Sequence, residues 1–334
     1  MGCGVPCDTV TVIAMKQHPG VQNLLNRARL EQRCCFGTNQ SEQKALRRRL
    51  KTGELVSPHP ALYAAPKEWQ ALNPVEQCMH MVRALALRHP NWVFAGPSAA
   101  AIWGLDHPWS MHDGSVAIIS STSSRHSAHR RLTYIYASSF DVHECRGLRV
   151  TSVARTIVDC ALRRSLREGL PFIDSGLRAG LVTTADVLTE CERLRESCAH
   201  IRGLVKHASP ASENGGESFC RGTVIEEGFP VPELQVVLRD PDDPKAVCRV
   251  DYLYRLHDGR LIAIEYDGMR KYVDPSMTGN REIREVVRDE REREALLKRA
   301  GVTAIIRLDY TEVLQRMPLV RKLMAAGIPR LFRH

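Results

Sequence analysis

Between Arg249 and Gly268 the sequence RVDYLYRLHDGRLIAIEYDG reads as two strands dense in Val, Ile, Leu and Tyr, joined at a turn. Three carboxylates interrupt it: Asp251 in the first strand, Glu265 and Asp267 in the second. The surrounding pattern completes a unit. ESFCRGTVIEEG predicts a helix closed by Gly228, and PVPELQVVLRD predicts a strand. REIREVVRDEREREALLKRAG predicts a long charged helix stopped by Gly301, and VTAIIRL a buried strand followed by a last helix. The C-terminal order is thus α-β-β-β-α-β-α.

Upstream, helices and strands alternate from about residue 74. Asn73 caps a helix with Pro74 at its first position. SAAAIWGL, GSVAIIS, LTYIYASS, GLRVTSVARTIVDCALR and VTTADVLTECERL follow, the last two carrying Ser- or Thr-initiated helices. His126 and His129 fall in the polar stretch STSSRHSAHRR, where solvated imidazoles are expected rather than ligands. From Ser41, taken as an N-cap, SEQKALRRRLK predicts a helix to Lys51 ended by Thr52-Gly53. ELVSPHPALYAAP then reads as strand, turn, strand. A basic helix followed by a small hairpin is the pattern of a winged helix-turn-helix. Arg47, Arg48, Arg49 and Lys51 would then face phosphates; a solvated basic helix is the competing reading. Residues 1–40 show only one short helical pattern and read as a tail or added helix.

Composition narrows the picture modestly. With 334 residues, 43% hydrophobic and 25% charged, the chain suits a folded protein of several domains. No run of apolar residues is long enough for a membrane helix, and the start lacks the basic and apolar regions of a signal peptide. The 11 Cys include no CxxC pair, which argues against structural zinc and for reduced thiols in a cytoplasmic setting. The net charge of +9 lies wholly in the first 210 residues, because residues 211–334 hold 21 basic and 21 acidic side chains. That excess is compatible with nucleic acid without requiring it.

The carboxylates depend on the turn. Glu265 and Asp267 share a strand face by alternation. A three-residue HDG loop with Gly259 left-handed pairs Leu256 with Arg260 and sets Asp251 opposite Glu265. A two-residue DG loop shifts the register and sends Asp251 to the other face. Opposed carboxylates repel unless a cation or proton sits between them, and hard oxygen donors suit Mg²⁺ or Mn²⁺; an exposed acidic strand face paired with Arg residues of the long helix is the competing reading. Glu217 could add a third acid. Arg221, four residues on, could meet Glu217 or a phosphate, and Lys271 could neutralise developing charge or act as a base.

The motifs ESFCR, GFPVPELQ, RVDYLY, IAIEYDGMRKY and REREALLKRAG, with Arg307 in the next strand, resemble the very-short-patch-repair-like endonucleases of the PD-(D/E)XK superfamily. The resemblance implies Asp251 and Glu265 as metal ligands and Glu217 as the helix-borne acid. The superfamily lysine is Asp267 here, as is usual in this subgroup, and Lys271 stands where the subgroup often has His. LRRRLKTGELVSPHPALYAAP, VFAGPSAAAIWGL and LRVTSVARTIVDCA are similar to the AbiEi-type winged-helix antitoxin family.

The expectation is therefore a multi-domain α/β protein. A tail or added helix (1–40) precedes a winged helix-turn-helix (41–73), an antitoxin-like α/β domain (74–205), a linker (206–216) and a restriction-endonuclease-like αβββαβ domain (217–334). The expected function is metal-dependent endonuclease hydrolysis of DNA. Catalytic residues would be Glu217, Asp251, Glu265, Asp267 and Lys271. DNA binding would come from Arg47, Arg48, Arg49, Lys51 and Arg221. The alternative is a DNA-binding regulator of antitoxin type with an inactive nuclease-like domain, which Lys271 favours; RNA is a third candidate substrate. Double-stranded DNA is the expected partner, with a toxin protein and a second copy of the chain as further candidates and no membrane.

Overall fold

The computed structural model describes residues 19–121, 131–243, 245–268 and 283–331, with the backbone alone for 283–287. The chain is of mixed α/β class and forms two compact units that meet in sequence at Pro90 and Asn91. Among the described residues no helix is long and apolar enough to cross a membrane.

The first unit contains α1 (Pro19–Leu30), α2 (Gln40–Lys51), the antiparallel hairpin β1 (Val56–His59) and β2 (Leu62–Ala64), α3 (Pro66–Ala71) and α4 (Pro74–Arg88). The cap of α2 is Asn39, whose side chain accepts the Glu42 N–H, so the expected cap Ser41 lies inside the helix. Helix α1 is no tail. Its Val21 and Ala28 are buried with Ala45, Leu46, Leu55 and Tyr63. Between α1 and α2, Cys35 exchanges two 2.8 Å backbone hydrogen bonds with Tyr63 and extends the hairpin by one bridge. Asn73 and Glu76 close a capping box at the start of α4, as Asn-Pro implies.

The second unit opens with α5 (Gly96–Trp103), the parallel pair β3 (Val116–Ser120) and β4 (Leu132–Tyr136), and the antiparallel pair β5 (Val142–Cys145) and β6 (Leu148–Thr151). Phe94, fully buried, bridges β3 and β6. Helices α6 (Val153–Ala161), α7 (Leu166–Arg178), α8 (Thr184–Glu192) and α9 (Ala199–Val205) share one core with α5. Ser152 and Thr183 cap α6 and α8, as their sequences imply.

The chain continues through α10 (Gly215–Glu226), β7 (Glu233–Arg239), β8 (Val247–Arg255), β9 (Leu261–Asp267), α11 (Ile283–Arg299), β10 (Val302–Asp309), α12 (Tyr310–Gln315) and α13 (Met317–Ala325). The sheet order is β10-β9-β8-β7, with β10 parallel to β9 and the other neighbours antiparallel. Phe219, Cys220 and Val224 of α10 pack on one face with Tyr252, Tyr254, Ile262 and Ile264, and α12 and α13 join them there. On the other face Leu296 and Leu297 of α11 meet Leu253, Ala263 and Val302. Helices thus cover both faces of the sheet.

The stretch expected to be a linker is strapped down rather than loose. Arg221 of α10 and Asp174 of α7, both essentially inaccessible, form an ion pair. Arg221 also donates to the His207 carbonyl, and the Ser209 N–H donates to Asp174 at 2.8 Å. Gly222 faces the Arg167 backbone, where an added Cβ would collide. Removing one member of a buried pair strands the other charge, which costs about 3–5 kcal/mol. Asp174→Ala should therefore lower unfolding free energy in urea by about that amount, while Asp174→Leu combined with Arg221→Met should recover most of it. Equal losses in both variants would mean the pair is not what joins α7 to α10.

Candidate active site

The turn between β8 and β9 is the three-residue form. The Leu256 N–H bonds the Arg260 carbonyl at 2.9 Å, and Gly259 has φ +85°. Tyr252 pairs with Ile264, Leu253 with Ala263 and Tyr254 with Ile262. Continued one step further, this register would bring Asp251 opposite Glu265, but the paired residues end at Tyr252 and Ile264.

Simple alternation ends at that step. Val250 and Leu253, three apart, share the α11-side core, and Tyr252 lies in the other core. On β7 the position facing Asp251 in register is Gln235, whose φ is +50°. The strand pair is thus irregular where the first acid sits. The Asp251 carboxylate turns toward β9 and accepts the Tyr266 backbone N–H at 2.8 Å.

Glu217 lies in the first turn of α10 and is 4% exposed. Its carboxyl accepts the Glu213 N–H at 2.7 Å, the Asn214 amide at 2.7 Å and the Gln235 amide at 3.0 Å. Burial pushes its pKa up to about 7, and the nearby negative charge of Asp251 adds to the rise. Glu265 is engaged differently. Arg293 of α11 grips it, with Nε at 3.1 Å, and Arg307 of β10 approaches to 3.8 Å. Arg307 is itself paired with Glu290 and Glu294. Asp267 is half-buried and pairs in register with Asp309 of β10.

Two expected site residues move out of the site. Arg221 is 1% exposed and locked to Asp174, so it reaches neither Glu217 nor a phosphate. Arg49 is buried as well, bonded to the Ala45 carbonyl and 3.6 Å from Glu54, because the helical period turns it inward. Arg47, Arg48 and Lys51 are exposed on α2. Lys271, His126 and His129 lie outside the described residues.

Among the described residues no three His, Cys, Asp or Glu side chains gather as a ligand cluster. The donor chemistry nevertheless fits a hard divalent cation. Asp251 and Glu265 would supply carboxylate oxygens, with Glu217, whose pKa is raised mainly by burial, as a further acid nearby. Glu265 is the ligand that would have to leave its guanidinium partners. No protein-family model, curated protein or solved structure matches the chain.

A histidine pair escaped the sequence reading. His107 and His112 flank the short turn Trp109–Met111, with their Nε2 atoms 2.6 Å apart. His107 Nδ1 bonds the Leu105 carbonyl, and its ring stacks on Phe172. The signal was weak: two imidazoles five residues apart in a loop, with no period to place them. Burial and the neighbouring His107 push His112 down to about 4, so the unfolded state takes up this proton first. This contribution to stability is full above about pH 6.5 and is lost as pH falls toward 4. His112→Gln should therefore lose less of its urea midpoint than wild type between these limits. Equal losses would show that the pair does not carry the acid sensitivity.

Proposed function

We propose that the chain is a metal-dependent DNA endonuclease of the PD-(D/E)XK type, with the hydrolytic site in the second unit and duplex-binding cations in the first. One observation carries this reading: the β8–β9 register runs as far as Tyr252 opposite Ile264, and Asp251, the next residue, accepts the Tyr266 N–H beside Glu265 on a mixed sheet. The α-β-β-β-α-β order and the very-short-patch-repair-like motifs support it. Asp251 and Glu265 would hold Mg²⁺ or Mn²⁺, and a cation there supplies charge neutralisation and an activated water. The chain's own part is positioning. The Tyr266 N–H fixes Asp251, and Glu217 holds Asn214 and Gln235 beside it while limiting charge with a proton near neutrality.

In the first unit, α2 and the β1–β2 hairpin would act as a helix and wing, with Arg47, Arg48 and Lys51 on phosphates. Arg49 is a structural residue in this account.

A second reading has its own observation. Glu265 is already neutralised by Arg293 and Arg307, which suits a DNA-binding regulator of antitoxin type whose nuclease-like domain does not turn over.

Asp251→Asn should abolish nicking of supercoiled plasmid in Mn²⁺ while binding duplex within about twofold of wild type. Wild type that binds DNA but leaves plasmid intact at every Mn²⁺ concentration would transfer the conclusion to the regulator. Replacing Arg47, Arg48 and Lys51 by Ala should weaken duplex binding and flatten its dependence on salt, by roughly 0.9 in log–log slope for each phosphate no longer neutralised. An unchanged slope would remove α2 from the DNA interface.

A further inference from the structure

A cleft of about 600 Å³ opens between the first half of β8 and α11. Cys248 and Leu296 form its apolar floor, and Arg249, Arg293 and Arg299 line it, with Glu292 beside them. Each guanidinium is partly exposed and braced from one side by a carboxylate: Arg249 by Glu213 at 2.6 Å, Arg299 by Asp240 at 2.5 Å, and Arg293 by Glu265. Bracing orients a guanidinium without exhausting it, because its five N–H groups exceed what one carboxylate takes. Arg293 uses Nε and Nη2 on Glu265 and on the Arg249 carbonyl, which leaves Nη1 for another acceptor among the described residues. Arg293 therefore belongs both to the cleft and to the proposed metal ligand. Arg249 lies two residues before Asp251, roughly 7 Å along a strand.

We infer that this cleft binds the phosphate backbone of a nucleic-acid strand, and that Arg293 couples its filling to the release of Glu265. Without a strand, Arg293 neutralises Glu265 and opposes entry of a cation. A phosphate in the cleft competes for the same guanidinium and frees the carboxylate, so strand and cation bind with positive cooperativity. Such coupling is reciprocal: each ligand must raise the affinity of the other by the same factor. Strand binding in the cleft stands on its own; the coupling rests on the metal-dependent reading above.

The full chain is titrated against a short labelled single strand in EDTA, which removes metal from the question. Arg249→Gln should weaken binding severalfold, at little cost to folding because the Arg249–Glu213 pair is exposed. Glu292→Gln should tighten binding, a gain that misfolding cannot imitate. Mn²⁺ affinity is then read by electron paramagnetic resonance with and without a strand of non-hydrolysable phosphorothioates. In wild type the strand should raise Mn²⁺ affinity about tenfold. Arg293→Gln should bind Mn²⁺ more tightly without a strand and gain nothing further with one, and Arg293→Lys should restore part of the coupling. Unchanged strand affinity in both Arg249→Gln and Glu292→Gln overturns the cleft assignment, and so does inorganic phosphate binding as tightly as the strand. A strand effect on Mn²⁺ that survives Arg293→Gln overturns the coupling. If wild type nicks plasmid while the cleft variants bind normally, the hydrolase reading stands and the cleft falls. If binding depends on the cleft but no Mn²⁺ is taken up, the cleft stands, and the coupling and the metal-dependent reading fall.

Discussion

The buried Arg221–Asp174 pair is the constraint on which the second unit depends. It ties α10 to α7, and through the His207 carbonyl and the Ser209 N–H it also pins the chain between the two layers. An ion pair taken wholly out of water offsets its desolvation only when its geometry and extra hydrogen bonds are good. Here those bonds come from the connecting segment itself, so that segment is fixed wherever the pair is made. One turn earlier on α10 stands Glu217, whose bonds to Asn214 and Gln235 set the end of the sheet nearest Asp251. The placement of the carboxylates is thus inherited from the packing of two helices.

Charge is handled in opposite ways at the two ends of the candidate site. Glu217 is buried and bonded mainly to amides, and burial raises its pKa to about 7, with a smaller push from the charge of Asp251. Glu265 is instead paired with two guanidinium groups, one from α11 and one from β10. The second solution is reversible, because a phosphate can satisfy an arginine and a cation can satisfy a carboxylate. On the proposed reading, the site would rest in the neutralised state and be opened by the strand it binds.

Much of the C-terminal half was legible in sequence because local rules and tertiary packing agree there. HDG limits the hairpin to a three-residue or a two-residue turn with Gly259 left-handed, and the Leu256 bond to Arg260 selects the three-residue one, from which the register follows. Asn73, Ser152 and Thr183 cap helices because the N–H groups they accept come from the next few residues. Helix α7 was not legible, since Gly169, Pro171 and Gly176 are poor helix formers. Its packing rewards what its propensity penalises: an added Cβ at Gly169 would strike Leu204, and one at Gly176 would strike Val182. Arg221 looked like a surface partner of Glu217 at i+4, and only the approach of α7 buries it. Arg49 sat in a run of three arginines, where charge hid the helical period that turns it inward. The irregularity at Asp251 has no signature in β8 alone, because the left-handed residue that answers it, Gln235, lies on β7.

The most direct test of the account is anomalous X-ray scattering from crystals of the full chain grown with Mn²⁺ and a non-hydrolysable DNA strand. One strong manganese peak is expected between the carboxylates of Asp251 and Glu265, with Arg293 turned from Glu265 toward a phosphate. Manganese absent from that position, with Glu265 still held by Arg293 while the strand is bound, would contradict it.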